Sequence, residues 1–194
     1  MMETTLEKQL QIFLDAGFEL NPGVTQNDLL TWAGGTEAFA EEPFGLLYKI
    51  LGLPIQREPY TPVCNQCWTF DMEFIKQTGD YRYILAQLSR ISNQELEFED
   101  VNDYIDLEQQ TALVSFHFRG EFYQWQLKTD DEWADGELFE RVQSLCELHC
   151  EDRRLTYFDP GGSVIVLGFA AENTVRQIRK KSGLDLAIIE SFPL

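Results

Sequence analysis

The stretch that decides the fold is Thr111-Ala-Leu-Val-Ser-Phe-His-Phe-Arg119, then Gly120-Glu121, then Phe122-Tyr-Gln-Trp-Gln-Leu-Lys128. Large apolar side chains alternate with smaller or polar ones on both sides of Gly120, which is typical of two half-buried strands. Gly120 and Glu121 are predicted to form a two-residue type II′ turn, because glycine accepts the positive φ of its first position. This register pairs Phe118 with Tyr123, Phe116 with Trp125 and Val114 with Leu127, all on one face.

The opposite face of this hairpin mixes polar and apolar side chains, and we expect it to be only partly covered. It carries Leu113, Ser115, His117, Phe122, Gln124, Gln126 and Lys128.

The rest of the chain predicts an α+β fold with an antiparallel sheet and helices packed on one face. Apolar residues at helical spacing indicate a small N-terminal helical subdomain over residues 1–54, and residues 55–194 form the sheet domain. Together they are expected to make one compact unit. The acidic segment from Glu95 to Glu108 is predicted to be a loop with a short strand near residues 104–107.

Charge restricts the classes of partner. Thirty-three acidic against fifteen basic residues give a formal net charge of −18. A field of that sign repels phosphates and speeds encounter with basic proteins, so direct nucleic-acid binding is disfavoured and a basic protein partner is expected. No apolar run approaches the ~20 residues that cross a bilayer, and the first residues lack the pattern of a secretory signal. We therefore expect a cytoplasmic protein without membrane contact.

Two dense blocks of acidic residues flank the central hairpin, the first from Glu95 to Glu108. No Lys or Arg lies between Arg90 and Arg119, and a second block runs from Asp130 to Glu140. We expect both blocks to merge into one negative docking surface, with two aromatic residues as buried anchors. The predicted partner-binding residues are Glu97, Glu99, Asp100, Asp103, Tyr104, Asp106, Asp130, Asp131, Trp133 and Asp135.

Four cysteines and a histidine offer an alternative, a zinc-stapled structural module. Cys64-Asn-Gln-Cys67 has the spacing of a zinc or redox pair, and Cys146, His149 and Cys150 lie on one predicted helix. Together they have enough ligands for a tetrahedral site. Cys146 and His149 also lie on an apolar stripe, which favours an ordinary core role.

A second alternative is a metal-dependent, nuclease-like hydrolase that uses Asp106 and Lys128. The pattern resembles an Asp followed by an acid-x-Lys pair, but Gln126 replaces the second acid and weakens a site for a hard cation. No Ser-His-Asp triad and no phosphate-binding Gly-rich loop is present. The sequence therefore predicts no catalytic residue and no cofactor.

Several segments give the chain a resemblance to known proteins. They are Phe18-Glu-Leu-Asn-Pro-Gly-Val-Thr, Asp28-Leu-Leu, Glu42-Pro-Phe-Gly-Leu-Leu, Trp68-Thr-Phe-Asp, Gly79-Asp-Tyr and Glu99-Asp-Val-Asn-Asp-Tyr-Ile-Asp. In these the chain resembles small acidic bacterial proteins of the toxin-immunity type. The resemblance implies a non-enzymatic inhibitor of a single basic partner, such as a toxin nuclease, and it identifies no functional residue.

Overall fold

The computed structural model describes residues 5–190. Its elements, in chain order, are α1 (Leu6–Asp15), α2 (Gln26–Ala33), α3 (Ala38–Glu41), α4 (Gly45–Leu51), β1 (Cys67–Asp71), α5 (Asp80–Ile91), β2 (Phe98–Asp106), β3 (Thr111–Phe118), β4 (Glu121–Lys128), α6 (Gly136–His149), β5 (Arg153–Phe158), β6 (Val164–Ala171), α7 (Glu172–Ser182) and β7 (Ala187–Ile188).

Local sequence signals place several helix ends. α2 begins with a capping box, in which the Asp28 carboxylate accepts a 2.8 Å bond from the Thr25 backbone N–H. The last helix, α7, ends at Gly183, whose φ of +76° suits a residue without a Cβ.

A four-stranded antiparallel sheet, ordered β1-β6-β5-β7, lies between two hydrophobic cores. Alternate side chains of one strand enter different cores: Trp68 and Phe70 pack with α5 and α6, whereas Cys67 packs with α1 and α4. Both faces of this sheet are therefore covered, which explains the continuous apolar run of β6.

A second antiparallel sheet, ordered β2-β3-β4, covers the far side of α5 and α6. Its inner face contributes Val114, Phe116, Phe118 and Leu127, all buried in the same core as those two helices. The sequence placed these four side chains on one face, and the structure confirms it.

The predicted α+β class with antiparallel strands is confirmed. The structure differs in the details of the layers, because the strands divide between two sheets and helices cover both faces of the four-stranded one. The helices of residues 1–54 share their core with Val166 of β6 and with Val175 and Ile178 of α7. Their apolar stripes are therefore covered by parts of the chain more than a hundred residues away.

The predicted register of the β3–β4 hairpin is wrong by two residues. The turn consists of Arg119 and Gly120, with φ values of +52° and +83°, and Phe118 pairs with Glu121. Phe116 consequently faces Tyr123, and Val114 faces Trp125. Two positive φ values in succession define a type I′-like turn, and a shift by two keeps every side chain on its predicted face.

The acidic segment is a nine-residue strand, β2, where a loop with a short strand was predicted. Its pairing with β3 is interrupted by a bulge between Glu99 and Asn102, where Asp100 has a φ of +50°. Carboxylate-rich composition disfavours a strand, but pairing with the apolar β3 outweighs that preference.

Within residues 5–190, none of the helices combines the length and the apolar character needed to cross a membrane.

Candidate functional site: the outer face of the three-stranded sheet

The side of the three-stranded sheet that points away from α5 and α6 is here called the outer face. Strand pairing orders its side chains in four rows across β2, β3 and β4. The rows are Asp106-Thr111-Lys128, Tyr104-Leu113-Gln126, Asn102-Ser115-Gln124 and Glu99-His117-Phe122.

Three large apolar side chains on the outer face are exposed to solvent. Tyr104 is 60% exposed, Phe122 59% and Leu113 39%. The solvent face of an antiparallel sheet is normally polar, so two aromatic side chains and a leucine are unusual there. Tyr104 and Leu113 are neighbours in one row, whereas Phe122 lies two rows away. An exposed apolar pair such as Tyr104 and Leu113, with polar side chains around it, is typical of protein-binding sites.

His117 and Phe122 lie together at the acidic end of the face that contains Glu99 and Asp100. Nδ1 of His117 lies 3.3 Å from Oδ2 of Asp100, and the ring centroid of His117 is 5.4 Å from that of Phe122. The geometry is not that of an aligned hydrogen bond, since this buried nitrogen has no hydrogen-bond partner. The contact is therefore an ion pair only while the imidazole is protonated.

The carboxylates lie at the two ends of the outer face and do not merge into one patch. Glu97, Glu99 and Asp100 are near the β3–β4 turn, whereas Asp106 is at the opposite end of β2. Six residues of strand separate the row of His117 from that of Thr111, a distance of about 20 Å. Asp130 and Asp131 follow the end of β4 and join the Asp106 end. The predicted single acidic surface is thus replaced by two acidic groups at opposite ends of the outer face, with Phe122 in the row of Glu99.

Two of the predicted partner-binding carboxylates are occupied by backbone N–H groups at helix N-termini, and a third, Asp106, accepts a 3.0 Å bond from Gln109 N in the turn after β2. Asp103 points inward, and its Oδ2 accepts bonds from Gly79 N at 2.8 Å and Tyr81 N at 3.1 Å, at the start of α5. Asp135 is the N-cap of α6, accepting from Glu137 N through Oδ1 and from Lys128 N through Oδ2. Both side chains stabilise the fold, so we remove them from the candidate site.

Trp133 lies beside a cleft adjoining the Lys128 end of the outer face. The cleft has a volume of about 830 Å³, with Met72 and Ile165 among its apolar lining residues and Asp130, Glu140 and Asp159 among its acidic ones. Trp133 is 40% exposed, and its segment is held by a bridge between Asp130 and Trp133. An indole beside carboxylates suits a cationic side chain.

Neither metal-binding alternative is assembled by the structure. Cys64 and Cys67 are buried in the core with α1 and α4, whereas Cys146 and Cys150 are buried in the other core. The predicted zinc site is therefore wrong: the four-stranded sheet lies between its halves. Asp106 and Lys128 do share a row across the sheet, with Thr111 between them. Across residues 5–190, however, no three His, Cys, Asp or Glu side chains group together as metal ligands.

The sequence identified the mixed polarity of the outer face but did not assign Leu113, His117 or Phe122 to a binding site. The signal was present, because large apolar residues at alternate positions of a face expected to be only partly covered are candidates for an interface. What the sequence lacked was the position of β2, which places Tyr104 beside Leu113 on the outer face.

Comparisons of the chain with protein-family models, with curated proteins and with solved structures found no match. The functional assignment therefore depends on the geometry of the outer face.

Proposed function

We propose that this protein is a non-enzymatic, cytoplasmic binding protein whose outer face docks onto a basic protein. The concrete role is that of an immunity-type inhibitor, which neutralises a partner such as a toxin nuclease by covering its cationic surface. The observation that carries the proposal is the exposure of Tyr104, Leu113 and Phe122 on a sheet face that has carboxylates at both ends.

This arrangement suits a protein interface in two respects. Exposed aromatic side chains such as Tyr104 and Phe122, once desolvated, supply much of the binding energy of typical interfaces. Carboxylates at the ends, such as Glu99 and Asp131, remain near solvent and act mainly on the rate of association with a positively charged partner. The net charge of −18 adds a long-range attraction for the same positively charged partner.

The cleft beside Trp133 extends the proposed surface. A Lys or Arg side chain of the partner would place its charge near Asp130 and Asp159 and its alkyl stem against Met72. A toxin that binds nucleic acid carries such side chains in excess, which is why a nuclease fits this surface better than an acidic enzyme does.

The test begins by identifying the partner. The immobilised chain is exposed to a lysate of its source cells, the retained proteins are identified by mass spectrometry, and the binder that survives stringent washing is purified. We expect that binder to be strongly basic. Association and dissociation rates are then measured at several salt concentrations with wild-type protein and three variants.

Two variants alter the outer face and one is the matched control. Tyr104→Ala with Phe122→Ala removes the aromatic anchors, and we expect dissociation to accelerate by at least about tenfold. Glu99→Lys with Asp100→Lys slows association and reduces its salt dependence. Glu37→Lys with Glu41→Lys makes the same charge change at exposed positions of the N-terminal helices, and binding is retained.

The proposal is rejected if the purified binder is acidic, or if both outer-face variants bind it with wild-type rates. If the binder is a toxin, wild-type protein also abolishes its activity in a purified assay, and the anchor variant loses this inhibition in proportion to its lost affinity.

A further inference from the structure

Cys64 and Cys67 form a close pair of thiols that the proposed binding function does not use. Their Sγ atoms are 3.6 Å apart, and both side chains are fully buried. The backbone is held on either side of the pair, since Cys64 forms an isolated bridge with Leu20 and Cys67 is the first residue of β1. The two sulfur atoms therefore face each other in a fixed segment of chain.

Hydrogen bonds distinguish the two cysteines. Cys64 Sγ lies 3.2 Å from the carbonyl oxygen of Leu51 and donates to it, which leaves its sulfur free to accept from the thiol of Cys67. The Arg90 guanidinium donates to the carbonyl oxygens of both cysteines, at 3.1 Å for Cys64 and 3.4 Å for Cys67. Its positive charge is held beside the pair.

These contacts separate the acidities of the two thiols. The hydrogen bond from Cys67, helped by backbone N–H groups and by Arg90, lowers the pKa of Cys64 although burial opposes it. Burial, and then the neighbouring Cys64, raise the pKa of Cys67 well above its usual range. Cys64 therefore ionises before Cys67, although its thiolate gives up the bond that the thiol donates to Leu51, and the thiolate is the nucleophile in disulfide exchange.

The other two cysteines provide a contrast within the same chain. Cys146 and Cys150 are also close in sequence, on the last turn of α6 and directly after it. Burial raises the pKa of Cys146, and burial followed by Glu95 raises the pKa of Cys150. Neither has a stabilised thiolate, so this pair should react slowly with disulfides.

We propose that Cys64 and Cys67 are a redox-active dithiol that reduces a small disulfide of the glutathione class. The Cys64 thiolate attacks one sulfur of the small disulfide, forming a mixed disulfide and releasing one thiolate. Cys67 then attacks the Cys64 sulfur and releases the second thiolate. The two protein thiols are oxidised to one disulfide, the small disulfide is reduced to two thiols, and the two protons pass to these leaving groups.

Access to the pair passes through Asn65 and Gln66, the two residues between the cysteines. Both line a cleft of about 720 Å³, together with Tyr48 and Gly168. Because both cysteines are fully buried, the reaction requires displacement of the chain that covers them and is slower than that of an exposed thiolate. The Asn65 side chain is held by Asn21 at 2.9 Å, so Asn21→Ala should accelerate oxidation.

Trypsin allows both cysteine pairs to be followed in one digest. The peptide of residues 58–76 contains Cys64 and Cys67, and that of residues 142–153 contains Cys146 and Cys150. Folded protein is incubated with oxidised glutathione, and samples are quenched with N-ethylmaleimide at intervals. Each sample is digested, and the peptide masses are measured by mass spectrometry. We expect the first peptide to lose two hydrogen atoms at least about tenfold faster than the second.

Single substitutions test the order of the two steps. In Cys67→Ser the mixed disulfide of glutathione with Cys64 accumulates, because no second thiol resolves it. In Cys64→Ser the remaining Cys67 stays unmodified over the same period. Circular dichroism and a urea unfolding curve establish that each variant is folded, and Cys146→Ser serves as the control that leaves the 58–76 peptide unaffected.

The outcome decides the proposal in either direction. It is overturned if both peptides oxidise at the same rate, if Cys67 and not Cys64 carries the mixed disulfide, or if folded protein stays reduced while urea-unfolded protein oxidises fully. None of these results depends on a protein partner, so the test is independent of the outer face.

Discussion

Individual carboxylates in this chain differ in role according to the backbone around them. Asp103 and Asp135 accept hydrogen bonds from helix N-termini, whereas Glu99 and Asp131 are exposed. A count of acidic residues does not separate these roles. The separation depends on whether a helix N-terminus lies within reach of the carboxylate, because the first N–H groups of a helix lack partners inside it.

Asp28 is the residue for which a pH effect is expected. Its carboxylate accepts bonds from Arg57 Nε at 2.8 Å and from the Thr25 backbone N–H, and these contacts lower the pKa of Asp28 well below its usual range. A carboxyl group whose pKa is lower in the folded state stabilises the fold at neutral pH. That contribution begins to be lost as the pH falls below about 4, where the unfolded chain takes up a proton, and it is lost completely only below the lowered pKa of folded Asp28.

We therefore expect Asp28→Asn to be less stable than wild type at pH 7, with a difference that shrinks towards pH 3. Urea unfolding curves at both values measure it. Asp185→Asn is the matched control, because Asp185 is 92% exposed and lies 3.7 Å from Arg179. A difference between wild type and Asp28→Asn that stays constant with pH would contradict the expectation.

At the scale of elements, the sequence predicted types and faces better than register. The alternation in β3 and β4 places Phe116 and Trp125 on the correct face, but it fits registers that differ by two residues equally well. The choice between them lay in the turn, where Arg119 adopts a positive φ that a non-glycine residue rarely takes. The length of β2 was underestimated, because pairing with β3 and not the composition of the segment itself makes it a strand.

One contact joins two elements and carries a prediction. Asp103 of β2 caps α5 through Gly79 N and Tyr81 N. Asp103→Ala should lower the free energy of unfolding by about 0.5–2 kcal/mol, the usual cost of losing an N-terminal cap. Urea denaturation provides the measurement, with Glu99→Ala on the same strand as control, expected within about 0.5 kcal/mol of wild type. Equal effects of both substitutions would show that the cap contributes nothing.

At the scale of the whole molecule, charge is distributed unevenly. The acidic three-stranded sheet lies on one side of the four-stranded sheet, and α7, with Arg176, Arg179, Lys180 and Lys181 exposed, packs on the other. Two of these cations are near acids, with Lys181 3.6 Å from Asp15 and Arg179 3.7 Å from Asp185. The resulting dipole turns the outer face towards an approaching cation.

The N-terminal helices are attached to the sheet through a glycine. Gly52, after α4, accepts a 2.9 Å bond from Thr69 N of β1, and a Cβ at Gly52 would collide with the backbone N and Oγ1 of Thr69. Gly52→Ala should therefore push α4 away from β1 and lower the free energy of unfolding by about 1–3 kcal/mol, as overpacking usually does.

The matched control is Gly45→Ala. Gly45 is helical, and the nearest atom to its added Cβ is the end of the flexible Glu42 side chain, at 2.9 Å. Alanine favours a helix, so this variant should be neutral or slightly stabilising. Thermal and urea unfolding of both variants measure the effect, and equal stabilities would mean that α4 and β1 are not held at this contact.

The two edge strands of the three-stranded sheet, β2 and β4, differ in how readily they can pair with a strand of another molecule. β2 is interrupted by the bulge at Asp100, which discourages such pairing, whereas β4 pairs with β3 without interruption and contains no proline. Near pH 4.3, the isoelectric point, the net charge is zero and electrostatic repulsion between protein molecules is lost. Precipitation in mildly acidic storage buffers should therefore start along β4, and a lysine in place of Gln124 would keep the protein in solution there.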